Sequence, residues 1–248
     1  MDWPDGYVRR VLAEVDSTNA EAARALGDLA GPTWIMARHQ KAAKGRRGRA
    51  WEMPEGNFAA SLVMRVEEPA ERVALRSFVT SLALYEALVA VTGRAESFAL
   101  KWPNDVLLNG GKLAGILLES AGQARGAVHV IIGIGVNLVA APGAAEVEAG
   151  ALRPVSVLSE TGTDVGQEDF LDHLADRYAK WEHQFVTFGF GPVREAWLAR
   201  AAKLGEVITA RTGTTETSGT FETVDETGQL VLKTRQGRQA IPAADVFF

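Results

Sequence analysis

"KWPNDVLLNGGKLAGILLES" occupies residues 101–120, and its turn chemistry sets the architecture around it. Two β-forming apolar runs, "DVLLN" and "KLAGILLES", meet at "NGGK" (109–112). An Asn-Gly pair accepts the positive φ of a two-residue hairpin turn, so the runs are expected to pair antiparallel. Pro103 has no N–H to give a ladder and separates an earlier short strand candidate, "SFALKW" (97–102). Lys101, Asn104 and Asp105 therefore fall at a strand end or turn, and Lys112 stands just beyond the hairpin. The plain reading is a structural turn with a solvated lysine. The chemical reading is that two ammonium groups and a carboxylate bracket one hairpin, an arrangement suited to anions.

The neighbouring segments extend the sheet. "AVHVIIGIGVNL" (127–138) is an almost continuous apolar strand. Its glycines cost stability unless they mark a bulge or a close approach, and Asn137 leaves its end. Upstream, "YVRRVLAEV" (7–15), "TWIMARHQ" (33–40) and "FAASLVMRV" (58–66) read as strands. Apolar residues recur at helical spacing from Ala74 to Val91, with Gly93 as the stop, which predicts a core helix. "DSTNAEAARAL" predicts a helix with Ser17 or Thr18 as N-cap. With Thr18 as cap, Glu21 would complete a capping box, and the helix start would offer free N–H groups to a polar ligand. After an Ala-, Gly- and Pro-rich loop (139–154), helices are expected near 167–186 and 191–201. From Lys203 onward, short β-rich runs separated by turns predict a small barrel or sandwich leaning on the larger domain. The expected division is 1–202 and 203–248, in an α+β fold with a mixed or antiparallel sheet.

Composition narrows the chemistry. With 31 Asp and Glu against 26 Lys and Arg, the formal net charge is -5, which disfavours broad nucleic-acid binding. No uninterrupted apolar run of membrane-spanning length and no secretory leader is visible, so the cytoplasm is the expected location. There is no cysteine, which excludes disulfides, thiolate metal sites and thioester nucleophiles. His39, His129, His173 and His183 are scattered, and no metal site is expected. Against this acidic background, "KAAKGRRGRAWEMPEGNF" (41–58) is locally basic. Lys44, Arg46, Arg47 and Arg49 supply charge-assisted donors, while Gly45 and Gly48 let the backbone approach a ligand. Trp51 beside them could cover an adenine ring. Mutually repelling cations and glycines predict a loop that orders only around an anion.

Five motifs in order, "DSTN" (16–19), Gln40 with "GRRGRAW" (45–51), "KWPND" (101–105), "GKLAGILLE" (111–119) and "GIGVNL" (133–138), resemble the biotin protein ligases. That resemblance implies a class II synthetase-like catalytic domain of the lipoate–biotin ligase type, followed by a small SH3-like barrel. It implies ATP and biotin as substrates with Mg²⁺, formation of biotinyl-5'-AMP, and transfer to a lysine of biotin carboxyl carrier protein or another carboxylase carrier domain. Ser17, Thr18 and Gln40 would meet the ureido end of biotin, with Asn19 beside them. Arg46 would clamp the acyl-phosphate, flanked by Lys44, Gly45 and Arg49. Lys112 would hold the carboxylate, with Lys101 in the same cluster, and Asp105 would orient the incoming lysine. Trp51, Asn104 and Asn137 would recognise adenine or place the phosphates, with Gly115 nearby.

The family's loop commonly begins Gly-Arg, whereas Ala43 and Lys44 stand here. Lysine keeps the charge but lacks the planar fork of arginine. "DSTN" begins at residue 16, so no N-terminal DNA-binding unit, and hence no DNA partner, is expected. A homodimer through the sheet edges is compatible with the pattern. Two alternatives are a lipoate or octanoate ligase or transferase of the same fold, and a non-catalytic nucleic-acid-binding module.

Overall fold

The computed structural model describes residues 2–124, 127–143 and 152–248. The larger sheet takes its strands from β1 (Val8–Val15), β2 (Thr33–Gln40), β3 (Phe58–Val66), β4 (Phe98–Lys101), β5 (Asp105–Leu108), β6 (Gly111–Ala124) and β7 (Ala127–Val136). The principal helices are α1 (Thr18–Arg24), α2 (Ala70–Ala74), α3 (Arg76–Thr92), α4 (Val157–Thr161), α5 (Gln167–Phe188) and α6 (Phe190–Leu198). The chain then adds β8 (Val207–Thr212), β9 (Thr215–Val224), β10 (Leu230–Thr234), β11 (Gly237–Ile241) and β12 (Asp245–Phe247).

The hairpin folds as its turn residues require: Asn109 has φ 49° and Gly110 φ 77°. Strand order in the larger sheet is β1-β2-β3-β7-β6-β5-β4. Only β1 and β2 run parallel; the other neighbours are antiparallel, giving the expected mixed sheet.

Alternation along the strands divides this sheet into two faces. Trp34, Met36, Ile132, Ile134 and Val136 join the main core beneath α3, α5 and α6. Ile35, Val63 and Ile131 turn the other way and form a smaller core with Ala22 and Ala25 around α1. One sheet face is thus sealed by helices, while the other is only partly covered and leaves room for a site.

Residues Ala70–Thr92 hold an 18-residue window apolar enough to cross a membrane, yet 67% of that window is buried in the fold, as the expected core helix requires. It ends at Gly93, whose φ of 71° makes the left-handed cap. Arg76 on α3 is 2% exposed, over the Phe185 ring and between Glu68 and Glu182. Burial pushes the Glu68 carboxyl up, but hydrogen bonding and charge from Arg76 outweigh it and hold it below the ordinary range.

Of the two N-cap candidates for α1, Ser17 takes the position, and its side chain makes no capping bond. Thr18 is the first helical residue, and Glu21 pairs with Arg24, so no capping box forms there. A capping box exists instead at α4, where Ser156 and Ser159 bond reciprocally. That helix has five residues, too few for a periodic apolar signal. It lies beyond the expected loop (139–154), as a helix additional to the two expected after it, and residues 144–151 lie outside the described residues.

The C-terminal segment forms one five-stranded antiparallel sheet, β11-β10-β9-β8-β12. It rests on the larger domain through specific contacts. Trp102 Nε1 donates to Gly228 O at 3.0 Å, and Phe221 lies against Trp197.

Candidate active site

Register across the open sheet face builds the floor of a cavity. Directly opposed residues share a face, so the pairs Lys101–Asp105, Asp105–Gly115, Gly115–Gly135 and Gly135–Ala59 form one row across five strands. A second row runs Leu117, Gly133, Ser61. The strand glycines therefore lie where the floor must be flat. A Cβ on Gly135 would sit 2.5 Å from Trp51 Nε1, and one on Gly115 3.2 Å from Trp51 Cζ3. A Cβ on Gly133 would sit 2.3 Å from Asn19 Oδ1. Of the two readings of "GIGVN", close approach holds; the β6–β7 register shift lies elsewhere, between Ala121 and Gln123.

At one end of the first row the hairpin assembles its ionic cluster. Lys112 Nζ is 2.8 Å from Asp105 Oδ1, and Lys101 Nζ is 3.7 Å from Asp105 Oδ2. Lys101 and Asp105 are 9% and 8% exposed, whereas the Lys112 side chain stays partly open. Burial pushes the Lys101 ammonium below its ordinary range, and the Asp105 carboxylate opposes the shift. Lys112 also stands over the Trp51 ring, 5.7 Å from its centroid. Anion binding would give these crowded cations a second counter-charge.

The start of α1 forms the other end. Thr18 N–H donates to Gln40 Oε1 at 2.7 Å, which locks the glutamine amide at the end of β2. Ser61 Oγ lies 2.8 Å from Thr18 Oγ1 and also meets Asn19 Oδ1. Asn19 Nδ2 in turn donates to Glu119 Oε2 at 2.6 Å. This end is a fixed, neutral, hydroxyl- and amide-rich pocket.

The basic loop forms a folded turn: Gly45 N–H donates to Arg49 O at 2.7 Å and Trp51 N–H to Ala43 O at 3.0 Å. A carboxylate from β12 meets its outer arginines: Arg47 and Arg49 both reach Asp245 Oδ2. Arg46 turns inward, donating to Asn104 Oδ1 at 3.2 Å, with Ala244 O 3.5 Å away. Burial lowers its pKa, against the pull of Asp245 and Asp105. Arg47 takes φ 57° and Gly48 φ 73°, the reversal that turns successive arginines in different directions.

All fifteen residues to which the family resemblance gives a place in the site line one cavity of about 650 Å³, whereas Gly48 of the basic loop does not. Like Asn19 and Gln40, Asn104 and Asn137 have amides already engaged by the protein. Asn104 Nδ2 donates to Ile116 O, and Asn137 Nδ2 donates to Val155 O while Asn57 Nδ2 approaches its Oδ1 at 3.4 Å. These two asparagines frame the cavity with their amides turned to the chain.

Sequence reasoning missed Ser61 and Glu119, which brace Thr18 and Asn19 behind the cavity, and the wall of Asp245 and Phe247 from β12, Phe248 beyond it and Arg211 from β8. The wall comes from a separate sheet, and nothing local in the sequence signals its docking. Among the described residues no group of three or more His, Asp or Glu side chains could hold a metal ion.

Residues 11–137 match the Biotin/lipoate A/B protein ligase family, and residues 203–248 match the Biotin protein ligase C terminal domain. The chain is 57% identical to a biotin--[acetyl-CoA-carboxylase] ligase of Paracoccus denitrificans, covering 96% of this chain and 99% of that protein. It is 31% identical to the Mycobacterium tuberculosis protein of the same name, over 95% of this chain and 87% of the other. It also superimposes on the biotin protein ligase from Aquifex aeolicus in complex with biotin and ATP, with TM-score 0.79 and 25% identity, covering 96% of this chain and 98% of that one. A cavity with a neutral amide pocket at one end and clustered cations at the other, joined to these similarities, places the chain among the biotin protein ligases, within the biotin/lipoate A/B protein ligase family.

Proposed function

We propose that this chain activates biotin with ATP and passes it to a lysine of a carrier protein. The observation that carries the reading is the polarity of one continuous cavity: Thr18, Asn19 and Gln40 at its neutral end, and Arg46, Lys101 and Lys112 at its cationic end. Biotin has a matching polarity, with a neutral ureido ring at one end and a carboxylate at the other. Ser17, Thr18 and Gln40 take the ureido end, and Asn19 holds that wall in place.

In the first step a biotin carboxylate oxygen attacks the α-phosphorus of ATP. The bond from that phosphorus to the bridging oxygen breaks, and pyrophosphate leaves with its electron pair. Two anions must be brought together, so the task is neutralisation and alignment. Arg46 spans both reacting groups from the loop, Lys112 holds the carboxylate, and Lys44 and Arg49 add charge above them. Lys101 supports Lys112 by sharing Asp105. Trp51, lying flat on Gly115 and Gly135, covers the adenine side, while Asn104 places Arg46 and Asn137 braces the strand end.

Mg²⁺ would arrive on the polyphosphate: Asp105 and Asp245 each face two cations, and an ion needing oxygen ligands finds them chiefly on ATP. Bound there, it would neutralise the leaving pyrophosphate.

In the second step the carrier's lysine amine attacks the mixed-anhydride carbonyl, AMP departs, and the amine gives up a proton. Asp105 is the carboxylate placed to orient that amine. The expected partner is the biotin carboxyl carrier protein or the carrier domain of another biotin-dependent carboxylase, met in the cytoplasm. The division at residues 202 and 203 belongs to the same proposal, with the C-terminal unit closing one wall of the site.

The test is biotin-dependent exchange of labelled pyrophosphate into ATP, with lipoate and octanoate in parallel. Exchange with biotin, reduced on the order of 10²-fold or more in Arg46→Ala, is expected for a preorganised charge at the reacting centre. Exchange with lipoate or octanoate alone would overturn the substrate assignment, and exchange with none would overturn the reaction.

A further inference from the structure

The neutral end of the cavity lies between two groups whose hydrogen-bonding direction is fixed by their chemistry. The Thr18 backbone N–H can only donate, and it meets Gln40 Oε1 at 2.7 Å. An ionised carboxylate can only accept, and Glu119 Oε2 takes Asn19 Nδ2 at 2.6 Å. The groups between them must follow. With Nδ2 committed to Glu119, Asn19 turns Oδ1 to Ser61, and an amide oxygen takes only a donor, so the Ser61 hydroxyl proton goes there. A hydroxyl has one proton, so Ser61 Oγ faces Thr18 Oγ1, 2.8 Å away, as an acceptor. The Thr18 proton is thereby engaged by Ser61, and Thr18 Oγ1 keeps only lone pairs for the cavity it lines. Gln40, its oxygen held by Thr18, keeps Nε2 as a donor, and the sulfur of Met53 at 3.6 Å is a weak rival for it.

The relay is tightly seated. Thr18, Asn19 and Ser61 are all buried, so each proton answers to its protein neighbour rather than to solvent. Asn19 lies so close over Gly133 that a Cβ there would meet Oδ1 at 2.3 Å. Glu119 stands one row further along the sheet, opposite Ile131, and neither it nor Ser61 lines the cavity.

We propose that Glu119 is a positioning residue for this pocket: through Asn19 and Ser61 it makes Thr18 a hydrogen-bond acceptor, and so selects a ligand that presents an N–H there. The ligand's identity rests on the proposed use of biotin; the direction of the relay follows from protein groups alone. A cyclic urea matches the pocket, with an N–H for Thr18 and a carbonyl for Gln40. The dithiolane of lipoate has no N–H and would meet only lone pairs.

Glu119→Lys puts a group that can only donate where one that can only accept stood. Asn19 must then turn Oδ1 to the lysine, Ser61 receives from Nδ2 and donates to Thr18, and the Thr18 proton points into the cavity. In pyrophosphate exchange the KM for biotin is expected to rise about tenfold or more, with kcat at saturating biotin within about threefold of wild type. Carbamate analogues of biotin, with a ring oxygen in place of one or the other ureido N–H, separate direction from damage. Wild type should prefer biotin to the poorer analogue on the order of 10²-fold, because a lone pair would face the Thr18 lone pairs. Glu119→Lys should cut that preference about tenfold, and Ser61→Ala, which breaks the relay at another point, should lower it too. Glu119→Gln still offers Asn19 an oxygen and should stay within about threefold of wild type. An unchanged preference in both Glu119→Lys and Ser61→Ala, however far the KM values rise together, would overturn the proposal by reducing Glu119 to a support of the fold.

Nuclear Overhauser contacts from isotope-labelled asparagine side chains follow the relay apart from catalysis. The Asn19 Nδ2 protons are expected beside Glu119 Hγ in wild type and beside Ser61 Hβ in Glu119→Lys. Contact with Ser61 in wild type would overturn the relay. Absence of exchange with biotin in wild type would instead strike the adenylation reading, and the amide contacts would then decide the relay by themselves.

Discussion

Replacing Gly135 with alanine adds one carbon that meets Trp51 Nε1 at 2.5 Å, Cε2 at 2.6 Å and Cζ2 at 3.0 Å. Ordinary contact needs about 3.5 Å, so the indole must retreat by roughly 1 Å or swing off the sheet. The strand itself is anchored by ladders on both sides, with β3 and β6. The tryptophan, attached to the loop and partly exposed, is therefore the part that yields. Forcing a well-packed group aside costs about 1–3 kcal/mol, but a ring free to move should limit the loss of fold stability to about 1 kcal/mol. Its cost to function should be larger, since a misplacement of about 1 Å at an aligned site costs on the order of 10²-fold, or about 2.7 kcal/mol of barrier. Pyrophosphate exchange as a function of ATP concentration measures the second quantity, and thermal unfolding the first. The decisive comparison is made in a Trp51→Ala background, where the added methyl meets no ring and should be silent. Gly115→Ala, at 3.2 Å from Cζ3, asks for a shift of only a few tenths of an ångström and should cost only a few-fold. An equal loss from Gly135→Ala with and without Trp51 would refute the glycine floor as a seat for the indole.

Other perturbations address different parts of the molecule. Gly133→Ala would place its methyl 2.3 Å from Asn19 Oδ1, which Ser61 and Glu119 hold in place, so it should raise the KM for biotin more than for ATP; steady-state kinetics with each substrate varied would show the opposite order if the assignment of the two ends were reversed. Asp105→Asn should slow transfer to the carrier on the order of tenfold or more, and single-turnover transfer from preformed adenylate at the wild-type rate would remove its role as orienter. Arg76→Met would leave Glu68 and Glu182 without their buried cation, and should cost about 3 kcal/mol in chemical denaturation; a loss under about 1 kcal/mol would show that the two carboxylates find other partners. The folded pKa of Glu68 lies below the ordinary 4.5, so its contribution is fully present above pH 4.5 and is lost as pH falls through the lower folded value. Glu68→Gln should accordingly flatten the acid limb of the stability profile, and an acid limb as steep as wild type would count against this network as its source.

What the sequence made legible followed from local rules. The Asn109-Gly110 turn, the short apolar runs of β2 and β3, and the Gly93 stop each report a requirement carried by one or a few neighbouring residues. The cationic cluster was legible for the same reason, since a single hairpin of known register carries Lys101, Asp105 and Lys112 to one place. The N-cap of α1 was ambiguous because Ser17 and Thr18 are both good caps. Tertiary bonding of Thr18 to Gln40 and Ser61 settled the choice.

The basic loop shows where local reasoning stops. Counted within residues 44–49, its charges only repel, and a mobile segment is the correct deduction from them. The carboxylate that Arg47 and Arg49 reach lies nearly 200 residues later, on a strand three residues long. No periodicity or propensity in "AADVFF" marks Asp245 as a partner for arginines, because pairing between distant segments is fixed by how two sheets dock. The same docking explains why the C-terminal unit is more than an appendage. A sheet that rests on Trp102 and Phe78 brings its last strand across the mouth of the cavity. Arg46 is tied to that strand by a chain of contacts, β12 to the outer arginines and the outer arginines to the loop backbone, so the docking of the two sheets bears on where Arg46 points.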